Sequence, residues 1–352
     1  MAEGRGRWTT ANIIMIDTSS QRGKPHTLRD QPKLCSVVMP CFNEAENVRP
    51  LYERLVKVMS SIPITAEFVF IENGSTDRTR EELAMLAQND ARVRVLVLSR
   101  NFGYQGAISA GLAYARGDIV VVMDGDQQDP PEIIPALLEQ WRRGYMVVYG
   151  TRAKREASWL YQMGYKLFYR LIRGLSYIDI PLDASDFALM DRRVVDTLNR
   201  MPERDRLIRG LRAYTGFRQT GIPYERPARA HGTSSYTFRA YIRFAVRGIF
   251  SFSYKPLEAI MTLALCTVGL AMIGIAGYLI LFFLRPDLPR GFSTLILVLL
   301  ALGGIQLLST AIIGEYIGRI FEEIKQRPIF ILDHEIHGSR LEKAQERVTP
   351  IN

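Results

Sequence analysis

The chain has 352 residues, enough for one well-buried core and a second module. Its formal charge of +9 calls for an anionic partner, either nucleic acid or an anionic membrane surface. No zinc-finger spacing, Arg/Lys-rich tail or RNP-type aromatic motif speaks for nucleic acid, whereas two long apolar spans speak for the membrane.

Residues 1–33 mix Gly, Arg, Ser, Thr and Pro without a sustained apolar run and lack the apolar centre of a signal peptide. They read as a mostly flexible cytosolic tail. From Leu34 the pattern alternates. Apolar runs at Leu34–Met39, Glu67–Ile71, Val93–Leu98, Ile119–Met123 and Tyr145–Tyr149 predict strands. The stretches Ala45–Ser60, Thr79–Gln88, Gln105–Arg116 and Pro131–Arg143 predict the helices between them. Asn43 with Glu46 three residues on resembles a capping box, and Ser75 or Thr76 is placed to cap the second helix. The alternation predicts an α/β domain over 34–235 with a Rossmann-like, mostly parallel, doubly wound sheet.

After Tyr149 the pattern changes. Residues 156–175 carry Leu160, Met163, Leu167 and Leu171 at helical spacing, with aromatic residues among Lys166, Arg170 and Arg173. This suits an interfacial amphipathic helix or, equally on periodicity, a core-facing one. A second such stretch lies in the juxtamembrane segment 236–256, where the apolar span that follows favours the interfacial reading. Ala259–Leu284 holds no charged residue, and Gly291–Gly314 is a second span of the same kind. Each exceeds the ~20 apolar residues a bilayer core needs. Within 257–318 they predict a transmembrane hairpin, 257–284 and 291–314, joined by a short turn. Arg239, Arg243, Arg247 and Lys255 precede it, and Arg319, Lys325 and Arg327 follow. The positive-inside rule then puts the large domain and both termini in the cytosol. Residues 319–352 read as a cytosolic C-terminal tail, charged beyond Phe330 and either a short helix or disordered there. His334 and His337 in it suit solvated histidines better than a metal pair. Cys35, Cys41 and Cys266, odd in number and without Cys-x-x-Cys spacing, read as reduced residues on a cytosolic or lipid face.

The stretch most loaded with chemistry is Asp124-Gly125-Asp126-Gln127-Gln128-Asp129-Pro130-Pro131-Glu132, directly after the strand Ile119–Met123. Ligands of open α/β sheets bind outside the carboxyl ends of strands. Hard oxygen ligands at Asp124, Asp126 and Gln128 suit Mg²⁺ or Mn²⁺ bound together with substrate phosphates. A lone Asp-x-Asp is most often a solvated turn. The metal reading gains from two further strand ends that carry polar tips, at Asn43-Glu44 and at Glu72-Asn73-Gly74-Ser75-Thr76-Asp77.

Pro40-x-x-Asn43-Glu44, Gly74-Ser75-Thr76-Asp77, Asn101-Phe102-Gly103 and Asp124-x-Asp126-x-Gln128-Asp129-Pro130-Pro131-Glu132 together resemble the family 2 glycosyltransferases. With the two C-terminal spans the chain is similar to their polyprenyl-phosphate group, over roughly residues 34–320. The resemblance implies a GT-A fold, a nucleotide diphospho-sugar donor, with UDP-glucose ahead of GDP-mannose, and a polyprenyl (undecaprenyl) phosphate acceptor at the cytoplasmic membrane. It implies inversion at the anomeric carbon. It places Pro40, Asn43, Glu44 and Glu72 at the nucleoside, and Asp124, Asp126 and Gln128 at the metal and diphosphate. Arg152 falls near phosphate, and Asp186 nearest the reacting centre. The family commonly has Asp-Asp where this chain has Glu72-Asn73, and Arg where it has Ala188. Phosphate charge is then expected at Arg206, Arg209, Arg226 or Arg229, with Ser234 and Ser235 beside the acceptor. A homo-oligomer, up to a tetramer, suits a two-span anchor. A processive polysaccharide synthase is a second enzymatic reading, although Gln140-Trp141-Arg142 stands in the wrong order and place for its Gln-x-x-Arg-Trp signature. A catalytically silent lipid-binding scaffold is the reading from a different class.

Overall fold

Two eight-residue runs, β2 (Leu34–Cys41) and β3 (Thr65–Glu72), are buried from their second residue to their last. Strands apolar on both faces belong at the centre of a sheet covered by helices on both sides. In the computed structural model, which describes residues 16–17, 29–152, 184–225, 255–284, 292–338 and 340–343, they occupy that place. The other strands are β1 (Ile16–Asp17), β4 (Val93–Leu98), β5 (Ile119–Val122), β6 (Val147–Arg152), β7 (Ala184–Asp191), β8 (Gln219–Tyr224), β9 (Leu332–His337) and β10 (Arg340–Lys343). Their order is β1-β8-β6-β7-β5-β2-β3-β4-β9-β10. The stretch β5-β2-β3-β4 is parallel, and β7 runs antiparallel between β5 and β6. The sequence pattern foretold the parallel half, with boundaries within three residues.

The helices of this sheet are α1 (Ala45–Ser60), α2 (Thr79–Asn89), α3 (Gly103–Tyr114), α4 (Ile134–Arg142), α5 (Arg192–Arg200) and α6 (Ile208–Tyr214). α1 buries Val48, Leu51, Leu55 and Met59 at helical spacing against Phe68 and its neighbours. α3 lies on β2 and β3 so closely that a Cβ on Gly111 would fall 2.2 Å from Val38 Cγ1 and 2.8 Å from Ile71 Cδ1. Gly111→Ala is expected to cost ~1–3 kcal/mol by overpacking. A thermal-unfolding midpoint that did not fall would contradict this.

Several expectations need correction. The capping box at Asn43 does not form: α1 starts after Glu44, whose side chain makes no capping bond, its first N–H at Ala45 donates to Asp77 Oδ2 at 3.2 Å, and Asn43 instead bonds the turn after β3. Ser75 and Thr76 do not cap α2. α2 begins at Thr79, with Arg78 in the cap position two residues past Thr76, and the Thr79 backbone N–H is met by Asp77 Oδ1 at 3.0 Å. The N-terminal stretch contributes β1, paired with β8, and Arg29, which donates to Asp191 Oδ2 at 2.8 Å and lies over the Trp141 ring. The largest correction concerns 331–352. Within that range, in place of a short helix or disorder, Leu332–His337 forms β9 antiparallel to β4, with β10 outside it. The cause is a buried charge cluster. Arg94 of β4 donates to Glu335 (2.6 Å) and Glu67 (3.1 Å), and all three residues are at most 9% exposed. His334 bonds Asp333 and Arg80, and His337 bonds the Ala91 carbonyl.

A second compact unit contains α7 (Lys255–Leu284) and α8 (Phe292–Ile324). Both are long and apolar enough to cross a membrane, and their apolar windows are not buried within the structure. α8 runs ten residues past the predicted span end at Gly314, through an Arg319–Glu315 pair (3.1 Å). Cys266 is exposed on α7, while Cys35 and Cys41 are buried free thiols in the sheet. The amphipathic stretches 156–175 and 236–254 lie outside the described residues.

Candidate active site

The strand order reverses at β2 and β5, which run parallel: β3 and β4 lie to one side of β2, β5 and β7 to the other. At such a switch the loops leaving neighbouring strand ends part and open a crevice. The β5 loop lies directly on the end of β2. A Cβ on Gly125 would meet the Pro40 carbonyl at 2.9 Å, so only glycine lets Asp124 and Asp126 sit this close to the neighbouring strand.

The ends of β2 and β3 are tied to each other. Asn43, in the left-handed region at φ 57°, accepts from the Thr76 backbone N–H at 2.8 Å, and its own N–H donates to Ser75 Oγ at 3.1 Å. The Glu44 N–H donates to Thr79 Oγ1 at 2.8 Å, and its carboxylate accepts from Asn47 Nδ2. Glu72 is buried and accepts from the Ser75 N–H at 2.5 Å, which makes it a turn holder as well as a polar tip. Burial first, then the charges of Glu44 and Glu72, push the Cys41 thiol far up, so it is no nucleophile.

Asn73 explains one departure from the family pattern. Its Nδ2 donates to Asn101 Oδ1 and to the Gly103 carbonyl, both at 3.3 Å, while its Oδ1 accepts from the Phe102 N–H at 2.9 Å. A carboxylate would lose both donations and face two oxygens. Asn73→Asp is therefore expected to cost about 1–3 kcal/mol, read as a lower unfolding midpoint. An unchanged midpoint would show that the amide is dispensable.

Four carboxylates gather at the crevice. Asp124 follows β5 and accepts a hydrogen bond from the hydroxyl of Tyr104, the second residue of α3. The Asp124 N–H donates to Asp129 Oδ2 at 3.2 Å, and Asp129, 2% exposed, also accepts from Tyr224 Oη at 2.7 Å. Asp126 is buried and accepts from the Gln128 N–H at 3.1 Å. Gln127 between them is left-handed at φ 60°, and its amide donates to Asn47 Oδ1 at 2.9 Å. Strain of this kind marks a loop held in place by its surroundings. Burial and then the Asp129 charge push the Asp124 carboxyl up to about 7 against the Tyr104 bond, with Asp126 and Asp186 adding to the rise. Tyr104 is exposed along part of its ring, but desolvation of its hydroxyl end, then the charges of Asp124 and Asp186, hold the phenol protonated.

Asp186 comes from β7, the strand beside β5. It is paired with Arg209 of α6, Nη2 to Oδ2 at 2.7 Å. Arg212, three residues further along α6, is buried, and its Nη2 donates to the Ser185 carbonyl at 3.1 Å. Burial lowers the Arg212 guanidinium to about 10, with Asp186 opposing the fall, so it remains a cation at neutral pH. Arg206 is also buried, and its guanidinium donates to the Leu198 carbonyl at the end of α5. It therefore closes a helix end, and an exposed phosphate grip does not describe it. Arg152 ends β6, opposite Tyr224 in the β8 register. Arg226, Arg229, Ser234 and Ser235 lie outside the described residues. Sequence reasoning missed Tyr104 and Arg212. The only signals for them are the position of Tyr104 just after Asn101-Phe102-Gly103 and the three-residue spacing of Arg212 from Arg209.

The donor set fits a hard divalent cation. The groups are carboxylate and amide oxygens on one strained loop, and Asp124, raised first by burial and then by the neighbouring carboxylates, sits where a cation would relieve negative charge. Among the described residues, no three His, Cys, Asp or Glu side chains form a ready-made metal cage. Mg²⁺ and Mn²⁺ suit that arrangement, because they take one or two protein carboxylates and complete their shell with substrate phosphate and water.

Comparison with known proteins agrees with this geometry. The sequence model described as Glycosyl transferase family 2 matches residues 36–198. An uncharacterized glycosyltransferase of Synechocystis sp. is 40% identical over 300 residues, covering 84% of this chain and 94% of that protein. The bactoprenol glucosyl transferase of Shigella phage SfV is 35% identical over 301 residues, covering 85% and 98%. Among solved structures, mannosyl-3-phosphoglycerate synthase from Rubrobacter xylanophilus aligns at TM-score 0.43 and 16% identity, over 61% of this chain and 72% of that one. With relatives this similar along nearly their whole length, and with a mostly parallel sheet that ends in these carboxylates, the chain belongs to glycosyl transferase family 2 and has its GT-A fold.

Proposed function

We propose that this glycosyltransferase moves a hexose, with inversion, from a nucleotide diphospho-sugar to a polyprenyl phosphate. UDP-glucose and undecaprenyl phosphate are the favoured pair, and GDP-mannose is the second donor. The observation that carries the reading is the gathering of Asp124, Asp126 and Asp186 at one switch point, where the charges of Asp126 and Asp186 both act on Asp124. It is supported by likeness to a bactoprenol glucosyl transferase over 98% of that protein.

In this reading Pro40, Asn43, Glu44 and Glu72 line the nucleoside site, and Arg152 meets the diphosphate. Asp124, Asp126 and Gln128 hold Mg²⁺ or Mn²⁺. When bound, that ion supplies positive charge to the departing diphosphate. Tyr104 fixes the orientation of Asp124 through its hydroxyl. The acceptor phosphate, with a second pKa of about 6 by analogy with phosphoserine, is already ionised and needs no strong base. One of its oxygens bonds to the anomeric carbon from the face opposite the breaking bond to the diphosphate. Asp186 orients that oxygen or stabilises the positive charge developing on the sugar. The remaining work is positioning and charge balance, with Arg209 and Arg229 at the acceptor phosphate and Ser234 and Ser235 beside it.

The lipid tail keeps the acceptor's phosphate at the membrane surface. α7 and α8 serve as the anchor in the cytoplasmic membrane, with the catalytic domain and both termini in the cytosol. A homo-oligomer fits such an anchor.

Incubating the purified full-length protein with a panel of UDP- and GDP-sugars and undecaprenyl phosphate tests the reading. The expected result is a lipid product heavier by one hexose, with inverted anomeric configuration. No lipid-linked sugar from any donor would overturn it. Chelation is expected to lower turnover at least about 100-fold, with recovery on adding Mg²⁺ or Mn²⁺. Full activity in excess chelator would remove the metal from the mechanism.

A further inference from the structure

Arg209 has two calls on it that its geometry makes exclusive. It is a proposed grip for the acceptor phosphate, yet Nη2 lies 2.7 Å from Asp186 Oδ2 and Nε lies 3.3 Å from Asp186 Oδ1. A guanidinium offers the same fork of N–H groups to a phosphate as to a carboxylate. The pair is open on the arginine's side: the Arg209 side chain is 24% exposed and that of Asp186 10%. An anion arriving from solvent meets the cation first.

Behind the pair stands Arg212, on the same face of α6. It is 2% exposed, anchored on the Ser185 carbonyl and lying 5.4 Å from the Tyr149 ring centre. Its Nε finds no partner among the described residues. It is a fixed cation whose charge acts on Asp186. Asp186 thus keeps a counter-charge whether or not Arg209 stays.

Resting on the acceptor reading above, we infer that Asp186 and Arg209 form a latch: a phosphomonoester takes Arg209 away from Asp186, and Asp186, still faced by Arg212, is released to act at the sugar. Until then the carboxylate that could activate a water beside the donor is occupied. The latch therefore protects the nucleotide sugar from hydrolysis before the acceptor arrives.

The test is a double-mutant cycle on full-length protein in detergent, measuring Kd for farnesyl phosphate by calorimetry with farnesol as the phosphate-free control. If Asp186 competes for Arg209, Asp186→Asn tightens binding about tenfold. Asp186→Ser serves as the second variant should the first fold poorly. Adding Arg209→Gln erases the gain. A gain that survives Arg209→Gln reflects general charge and overturns the latch. So does an unchanged or weaker Kd in both Asp186 variants. In either case wild-type preference for farnesyl phosphate over farnesol leaves the acceptor reading standing. If neither wild type nor any variant prefers the phosphate, the acceptor reading falls and the latch with it.

Discussion

Asp126→Asn is expected to lower kcat/KM for hexosyl transfer by about three orders of magnitude, roughly 4 kcal/mol of transition-state stabilisation. The substitution keeps the shape of a side chain that is 5% exposed and leaves an oxygen to accept from the Gln128 N–H. What it removes is charge, and charge is what the leaving diphosphate and its cation require. Because the four carboxylates repel one another, losing one relieves the resting protein, so the unfolding midpoint should hold or rise while turnover collapses. That opposition separates a catalytic from a structural role. A variant that kept a tenth of wild-type turnover would remove Asp126 from the machinery.

Arg94→Met is expected to cost about 3–5 kcal/mol of stability, the usual penalty for breaking a buried ion pair from one side. Arg94 donates to Glu335, Glu67 and the Tyr114 carbonyl at 2.6, 3.1 and 2.9 Å. Glu67 keeps donors in Ser36 Oγ and the Arg116 N–H. Among the described residues Glu335 has Arg94 as its side-chain partner, so it loses its main counter-charge. The β9 edge should therefore open first, seen as new protease cleavage within 328–343 before the rest of the sheet unfolds. An unchanged unfolding midpoint and cleavage pattern would show that backbone pairing alone holds β9.

The sequence carried the parallel half of the sheet because apolar β-branched runs alternate there with amphipathic helices. It also carried the positions of Asp124 and Asp126, which follow directly on the end of the apolar run of β5, whereas Asp186, the third residue of β7, was marked by resemblance to a family signature alone. β9 was hidden for a physical reason. Leu-Asp-His-Glu-Ile-His reads as a polar tail until Arg94 is known to lie opposite Glu335. Tyr104 was hidden because its role depends on α3 leaving β4 toward Asp124, a matter of packing and not of local pattern. Asn73 looked like a lost carboxylate when read against the family. In the fold it is an amide that needs both of its donors. The antiparallel placement of β7, which brings Asp186 beside β5, also has no local signature.

The position of Glu335 has a consequence for biosynthesis. Its partner Arg94 is made 241 residues earlier. At ~5–20 residues per second the ribosome takes about 10–50 s to cover that distance, and both hydrophobic helices emerge in between. The sheet thus stands with an open edge until both of those helices have been made. A soluble fragment ended before the first of those helices would keep that edge permanently, exposing β4 to strand-pairing with other chains.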